Sequence, residues 1–314
     1  MPTGISLTRI RVARIMTVCL GLGVAWPAEA TTIGVSISHF DENFLTIVRN
    51  GIASEAKAKG VSVQFEDAQG DVGRQISQVQ NFISQHADAI IVNAVDSGES
   101  RKLNALAVKA KIPLVYVNRG PAETDLPAGI AFVASDNRVA GRMQGEEIAR
   151  LLHNKGHVVI MQGELSDEAT SQRTSGVEEI IARHPDMKIT KKQTANYQRS
   201  DAINLMTNWL TEGDRIDAVA ANNDEMAIGA IIALKQNGAS GPAVIVGGVD
   251  ATHDGLDQVA RGTLITVFQD GGGQGSAALD KALDLAKGDR TGKAIELIPF
   301  QLVTQANYRN FISK

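Results

Sequence analysis

Cysteine is nearly absent from this chain, because Cys19 is the only one among 314 residues. It lies in an apolar N-terminal run, so the rest of the chain has neither a disulfide framework nor a thiol nucleophile. Aromatic residues make up only 4% of the chain, so a site that stacks on rings must use few of them. Basic blocks are absent too, and the formal net charge is −4 at pH 7. We therefore expect neither nucleic acid nor an anionic membrane as a partner.

The signatures of common catalytic sites are missing as well. The sequence has no HExxH zinc motif, no paired cysteines and no GxSxG nucleophile turn. Gly292 and Lys293 stand together, but their spacing does not fit a phosphate loop and Ala294 replaces the required hydroxyl. No acidic loop has the spacing of a calcium site. These absences predict no metal, no cofactor and no enzymatic activity.

One apolar run stands apart from the others because of its flanks. Residues 15–24 form it, three arginines precede it, and Ala28 and Ala30 follow with the spacing of a cleavage site. The run is too short to remain in a bilayer as a spanning helix. This pattern predicts a signal peptide over residues 1–30, cleavage after Ala30, and a periplasmic protein without stable membrane insertion.

The remaining chain alternates between strand and helix patterns. Its length exceeds that of one ordinary core and fits two domains of roughly 100–150 residues each. Apolar residues alternate from Ile33 to Ile37 and then recur at helical spacing from Leu45 to Ala56, where Gly60 can end the helix. Further strand–helix units follow in the same order. Repeated units of this kind require right-handed crossovers and so predict a parallel sheet.

A second series of strand–helix units begins after residue 137. No low-complexity linker separates the two series, and the last elements must return to an earlier sheet, which indicates several crossings between domains. The final strand is predicted as one element over residues 295–303. The fold class is therefore α/β, with two doubly wound parallel-sheet domains. The boundaries are 31–134 plus 270–300 for the first domain and 135–269 plus 301–314 for the second.

Polar side chains follow almost every predicted strand. Ligands of open parallel sheets bind beyond the carboxyl ends of the strands, so these residues are candidate ligand contacts. Carboxylates and carboxamides pair with adjacent hydroxyls, and arginine donates a planar fork. The set suits a neutral, hydroxyl-rich ligand better than a phosphate, which would call for more positive charge and a glycine-rich nest. The residues are Ser38, Asp41, Glu42, Phe44, Asn93, Asp96, Asn118, Arg119, Gln162, Arg173, Asn196, Tyr197, Asn222, Asn223, Asp224, Asp250, Gln269 and Asp270.

Each of these positions also has a purely structural interpretation. A carboxylate after a strand commonly caps the next helix, which fits Asp41, Asp96 and Asp224. The two arginines could lie on the surface, and Phe44 could belong to the core. The functional interpretation therefore depends on the placement of the whole set.

Three segments resemble the ribose-binding branch of the periplasmic sugar-binding proteins. They are NNDEMAIGA at 222–230, VGGVDAT at 246–252 and ASDN at 134–137. The resemblance covers nearly all of residues 31–303. Transcription regulators of the same family share the first segment, so it identifies the fold better than the role. The resemblance implies a periplasmic binding protein of type I, in which two domains joined by a three-crossing hinge close over one sugar.

The resemblance also implies contacts and partners. Ring stacking falls to the two aromatic residues of the set, bidentate hydroxyl contacts to the two arginines, and acceptor roles to Glu42 and Asp250. The partners would be a small neutral sugar or cyclic polyol and the membrane permease of an ABC transporter, with the protein itself a monomer. The implied contact residues are Ser38, Glu42, Phe44, Asn118, Arg119, Arg173, Tyr197, Asn223, Asp250 and Gln269.

Some positions depart from the ribose-binding pattern. Asn118 stands where ribose binders carry aspartate, and Glu42 stands where they carry asparagine. Leu45 and Val249 replace aromatics that pack the sugar, which indicates a wider and differently polar pocket. The segment QTAN at 193–196 and the loop after the first strand are closer to inositol and rhizopine binders. Glu42 would suit an amino group on such a ring.

Two other functions fit parts of the pattern. The same fold serves as a sugar sensor coupled to a chemoreceptor or to a transcription regulator, although a regulator would need a helix-turn-helix instead of the export signal. An enzyme acting on a sugar would need a poised acid–base pair, which Glu42 and Asp250 could supply. Recovery of an unchanged ligand after incubation separates a binding protein from an enzyme.

Overall fold

The structure is a computed structural model that describes residue 1 and residues 31–312, apart from 122, 124, 214 and 239–243. The predicted signal peptide and its cleavage site fall on residues 2–30 and so lie outside the described residues. Among the described residues, no helix combines the length and the apolar character that a bilayer crossing requires. In chain order the helices and strands are β1 (Thr32–Ile37), α1 (Asn43–Lys59), β2 (Ser62–Asp67), α2 (Val72–Ser84), β3 (Ala89–Val92), α3 (Ser100–Ala110), β4 (Leu114–Val117), β5 (Ile130–Ala134), α4 (Asn137–Leu151), β6 (Lys155–Gln162), α5 (Glu168–Ile181), β7 (Asp186–Thr194), α6 (Arg199–Thr211), β8 (Ala218–Ala221), α7 (Asp224–Gln236), β9 (Ile245–Gly247), α8 (His253–Ala260), β10 (Thr266–Phe268), α9 (Gly271–Ala286), β11 (Ile295–Leu297) and β12 (Gln301–Val303).

The first sheet is six-stranded and parallel, in the order β11-β5-β4-β3-β1-β2. β3 and β4 are buried at every residue, as apolar strands covered on both faces should be. One face packs against α1 and α9 in a cluster that includes Val48 and Leu279. The other face packs against α2 and α3 in a cluster that includes Phe82 and Leu103. We call this sheet and its four helices the first lobe.

Helix α1 shows how the sequence determines the bounds of an element. Leu45, Val48 and Ile52 recur every three or four residues and are all buried, so one face of the helix lies on the sheet. The helix ends at Gly60, which adopts the left-handed conformation with φ 67° and turns its N–H back to the last carbonyls. The predicted helix and its predicted end are both confirmed.

The second sheet is parallel in the order β7-β6-β8-β9. The antiparallel pair β10–β12 adjoins its β9 edge through single bridges from Gly247 to Ile265 and from Asp250 to Phe268. Helices α4 and α5 cover one face, and α6, α7 and α8 cover the other. We call these strands and helices the second lobe.

The chain passes between the two lobes three times. It leaves the first sheet after β5, returns to it between β10 and α9, and leaves it again between β11 and β12. A small apolar cluster containing Val249, Val267 and Phe300 lies at these passages. The crossing segments are 135–136, 269–270 and 298–300.

Three sequence-based assignments need correction. The single strand predicted over 295–303 is wrong, because β11 and β12 belong to different sheets. Pro299 explains the break, since it has no N–H to donate to a ladder and ends the first strand. Helix α8 and strand β5 were not predicted from the sequence, and β5 pairs between β4 and β11.

Candidate ligand-binding cleft

Residues that follow the strands of both sheets meet at one cavity between the lobes. Its empty space is about 330 Å³, including its opening to solvent. Leu45, Asp167 and Ala169 complete its lining together with eight of the ten predicted contacts. The cleft thus lies where ligands of open parallel sheets bind. The eight predicted residues are Glu42, Phe44, Asn118, Arg119, Arg173, Tyr197, Asn223 and Asp250.

The backbone adopts unusual conformations where three of these side chains enter the cleft. Asn118, Tyr197 and Asp250 have φ values of 63°, 59° and 117°. Non-glycine residues rarely adopt positive φ, and each such residue costs roughly 1–3 kcal/mol. The surrounding structure must therefore stabilise these three turns. Strain of this kind is typical of ligand-binding positions.

Arg119 connects the two lobes through three carboxylates. Its guanidinium lies 2.8 Å from Glu42 of its own lobe, and 2.9 and 3.2 Å from Glu164 and Asp167 of the second lobe. Burial alone would lower the pKa of Arg119, but the three carboxylates raise it, so the guanidinium stays charged. The ionic contacts therefore span the cleft.

Tyr197 forms one wall of the cavity. The guanidinium carbon of Arg119 lies 5.1 Å from the centre of its ring, which is a cation–π distance. Its hydroxyl donates to Asp167 at 3.0 Å and accepts from Thr170 at 2.8 Å. A Cβ on Gly163 would lie 2.1 Å from the ring, so only glycine allows the ring this position. Burial raises the pKa of Tyr197 well above its usual value, and the hydroxyl stays neutral.

Asp250 and Glu42 face the cavity from opposite lobes. The Asp250 carboxylate lies 3.6 Å from Arg173, and no described residue donates a hydrogen bond to it. Burial is the main reason that the pKa of Asp250 lies well above its usual range, although Arg173 lowers it. Burial likewise raises the pKa of Glu42, which Arg119 opposes. The buried setting thus makes it costly to ionise either carboxylate.

Phe44 and Asn223 complete the predicted lining, and each has a local structural role too. Phe44 packs beside Gly271, where an added Cβ would lie 3.0 Å from its ring. Asn223 caps α7 by accepting from the N–H of Met226 at 3.0 Å. The Asn223 amide also donates to the carbonyl of Tyr197 at 3.3 Å and keeps a second N–H for a ligand.

The structure places two of the predicted contacts, Ser38 and Gln269, outside the lining of the cavity. Ser38 is fully buried and donates its hydroxyl to Asn93 at 2.6 Å. Gln269 is buried as well and accepts from Arg173 at 2.8 Å. Ser38 thus connects the ends of β1 and β3, whereas Gln269 contacts an arginine of helix α5.

Several residues of the cleft were missed or assigned another role. Asp167 has the sequence context of a cap for α5, so its ion pair with Arg119 was not predicted. Glu164 lies in the same loop and also pairs with Arg119.

Asp96 caps a helical turn as predicted. Asp224 does not cap its helix; it is buried and accepts from Thr252 and Thr266. Burial raises the pKa of Asp224 to about 7.

One group of side chains has the composition of a metal site. His39, Glu42 and Glu164 each offer a ligand atom within 4.8 Å of the others. Arg119 already pairs with both glutamates at 2.8 and 2.9 Å, however, so a guanidinium takes the place that a metal ion would need beside them. The arrangement therefore fits an inter-lobe ionic network better than a metal centre.

Two lobes of parallel α/β architecture around a polar inter-lobe cleft define a solute-binding protein. The family model of the periplasmic binding protein domain matches residues 33–290, so the chain belongs to that family. A provisionally named rhizopine-binding protein of Rhizobium meliloti is 48% identical over 93% of this chain and 96% of its own length. The xylitol-binding protein of Mycolicibacterium smegmatis is 36% identical over 87% of this chain and 77% of its own length.

The solved structures give the same assignment. An ABC transporter solute-binding protein of Bacillus halodurans, with myo-inositol bound, superposes with a TM-score of 0.85 at 41% identity. The match covers 90% of this chain and 97% of that one. The predicted α/β fold of periplasmic binding protein type I, the family resemblance and the role as a solute-binding protein are therefore confirmed.

Proposed function

We propose that this protein is the exported solute-binding component of an ABC importer and that its ligand is a cyclic polyol carrying a protonated amine. The observation that carries the proposal is the Asp250 carboxylate, which is buried and receives no hydrogen bond from the described residues. Glu42 faces the same cavity from the opposite lobe. A cation between these two carboxylates would contact both lobes at once.

The charges of the cavity favour a cationic group. Glu42, Asp167 and Asp250 line it, against the two guanidinium groups of Arg119 and Arg173. Glu164 adds a further carboxylate beside Arg119 and also pairs with His39 at 3.4 Å, so the acidic groups outnumber the cationic side chains by one when His39 is protonated. A buried excess charge is unfavourable unless a counter-charge is present. A protonated amine supplies that charge, whereas a neutral sugar does not.

The rest of the lining suits a hydroxylated ring. The amides of Asn118 and Asn223 can exchange hydrogen bonds with neighbouring hydroxyls. Phe44, Leu45 and Tyr197 offer apolar surface to the C–H face of a ring. The relatives support this ligand class, because those named above bind rhizopine, xylitol or myo-inositol according to their names.

Ligand binding would close the lobes, because the ligand contacts both of them only in the closed form. The lobes in this proposal comprise 31–134 plus 270–300 and 135–269 plus 301–314, which accords with the membership of the two sheets. The closed form would then dock on the membrane permease, after a signal peptide over residues 1–30 has directed the monomer to the periplasm. The protein would release its ligand chemically unchanged.

Isothermal titration of the purified exported protein tests the ligand. An aminated inositol is expected to bind most tightly, myo-inositol less tightly and ribose most weakly. Tightest binding to ribose would refute the cyclic polyol. If myo-inositol bound as tightly as the aminated inositol or more tightly, the proposed amine would be refuted, but the cyclic polyol would remain the proposed ligand class. Mass spectrometry of the recovered ligand checks that no reaction occurs.

A further inference from the structure

Each crossing between the lobes contributes a side chain to one buried arginine. Arg173 donates from Nε to Asn137 at 2.9 Å, directly after the first crossing segment. Its Nη2 donates to Gln269 of the second segment at 2.8 Å. Its guanidinium carbon lies 6.0 Å from the ring centre of Phe300 in the third segment. No sequence signal singles out this convergence, because the four residues are far apart along the chain.

The same guanidinium also lines the ligand cavity. Its Nη1 donates to the carbonyl of Asn222 at 2.7 Å and lies 3.6 Å from Asp250. Three of its five N–H groups are therefore engaged by the protein, and two remain for a ligand or for Asp250. The side chain is 6% exposed, so these contacts form out of bulk water. Arg173 thus touches the ligand site and the hinge with one rigid group.

The backbone that carries Arg173 cannot shift easily. A Cβ on Gly141 would lie 2.0 Å from the carbonyl oxygen of Arg173, so α4 and α5 are in direct contact there. Helix α4 begins at Asn137, directly after the first crossing. Arg173 therefore lies on a helix whose backbone is held directly against α4, close to the first crossing.

We propose that Arg173 is the positioning residue that couples occupancy of the cleft to closure of the hinge. A ligand oxygen that accepts from its two remaining N–H groups fixes the guanidinium plane. The fixed plane holds Asn137, Gln269 and Phe300 in the arrangement of the closed form. This inference rests on the proposed function for the location of the ligand and adds the route by which binding reaches the hinge.

The distance between the lobes is the readout that separates coupling from simple ligand contact. Cys19 lies in the predicted signal peptide, so a cysteine pair at the exposed positions Ser54 and Asn208 can carry a fluorescent donor and acceptor. Distance distributions are recorded without ligand and with myo-inositol at saturation. Titration calorimetry on the same samples gives the affinity.

Arg173→Lys keeps the charge but loses the planar fork, so its ratio of closed to open molecules at saturation should fall about tenfold. Asn118→Gly is the control, since Asn118 lines the same cavity, its side chain pairs with Asn93 of the first lobe, and glycine tolerates its φ of 63°. It should lose affinity and still close fully at saturation. Full closure of saturated Arg173→Lys would overturn the proposal.

Gln269→Leu tests the hinge contact without altering the cavity lining. It should broaden the distance distribution both with and without ligand, while circular dichroism remains that of the parent protein. An unchanged distribution would overturn the proposal, even if Arg173→Lys fails to fold. If myo-inositol does not bind the parent protein, the unliganded distribution of Gln269→Leu still decides the hinge role, whereas the titration series with the aminated inositol and ribose decides the proposed ligand.

Discussion

Asp250→Asn should reduce the preference for an aminated ligand far more than it reduces binding of a neutral one. The substitution keeps the shape of the side chain and removes its charge. A hydrogen bond to a charged partner contributes about 1.5–3 kcal/mol and a neutral one about 0.5–1.5 kcal/mol. The difference is about 1.4 kcal/mol, which is tenfold in Kd. The Coulomb attraction between two unit charges 4 Å apart is about 4 kcal/mol at an effective dielectric of 20. The cost of desolvating the two charges reduces the net contribution below that value.

The assay is calorimetric titration of parent and variant with myo-inositol and with an aminated inositol. The ratio of the two dissociation constants should fall about tenfold in Asp250→Asn. Asp41→Asn is the matched control, because Asp41 is exposed in the loop after β1 and does not line the main cavity. It should leave the ratio within twofold or so. An unchanged ratio in Asp250→Asn would refute the assignment of the amine to this carboxylate.

The same carboxylates predict a pH dependence of binding. Burial raises the pKa of both Asp250 and Glu42. A cationic ligand favours their ionised forms, so binding releases protons and affinity for the aminated ligand rises as the pH increases from about 5 to 7. Titrations in two buffers of different ionisation enthalpy count the protons. Proton uptake on ligand binding would contradict this account. It would also be contradicted if Asp250→Asn released as many protons on binding as the parent protein.

Three further substitutions test the supporting structure. Gly163→Ala places a Cβ against the ring of Tyr197 and should cost about 1–3 kcal/mol of unfolding free energy together with ligand affinity, as measured by denaturant unfolding and titration. Tyr197→Phe removes a buried hydroxyl with two partners but keeps the ring, so thermal unfolding should show a loss of about 1 kcal/mol while affinity changes only a few-fold. Asp224→Asn should flatten the pH profile of stability. The folded protein holds the Asp224 proton more tightly than the unfolded chain, so the free energy of unfolding of the parent falls as the pH rises from about 4 to 7. A pKa of about 7 corresponds to a fall of about 2.6 kcal/mol between pH 5 and 8, and urea unfolding at these two pH values should show that Asp224→Asn removes most of it.

Each of these three has an outcome that would contradict it. Gly272→Ala is the control for Gly163→Ala, since its Cβ would approach nothing closer than 3.9 Å. Equal effects of the two alanine variants would show that the ring of Tyr197 is not confined. A loss of binding in Tyr197→Phe as large as in Gly163→Ala would mean that the hydroxyl contacts the ligand. A steep pH profile retained in Asp224→Asn would assign the titration to another group.

The location of the cleft could be predicted because local signals are strong there. Buried strands such as β3 and β4 are continuous apolar runs, and the polar residues that follow them stand out. The parallel arrangement then brings these residues to one edge. Asn118 and Asp250 were found in this way, although their unusual φ values have no signature in the sequence.

Other features depend on how the lobes face each other, which local patterns do not specify. Asp167 has the sequence context of a helix cap, and its contact with Arg119 exists only because the lobes meet. The role of Asp224 depends on Gly248 and Gly255, since an added Cβ at either would lie within 2.4 Å of its carboxylate. The split of the last predicted strand does have a local cause, because Pro299 has no N–H to donate to a ladder.

The return of α9 and β11 to the first sheet affects the order in which the molecule can be completed. Ribosomal synthesis produces β1–β5 early. Helix α9, which packs against α1 in the same apolar cluster, consists of residues 271–286 and is made much later. Until that helix appears, the apolar side chains of α1 and β1 lack their permanent cover. The first lobe is therefore finished only when nearly the whole polypeptide has been made, and a truncated product ending after β10 should be prone to aggregation.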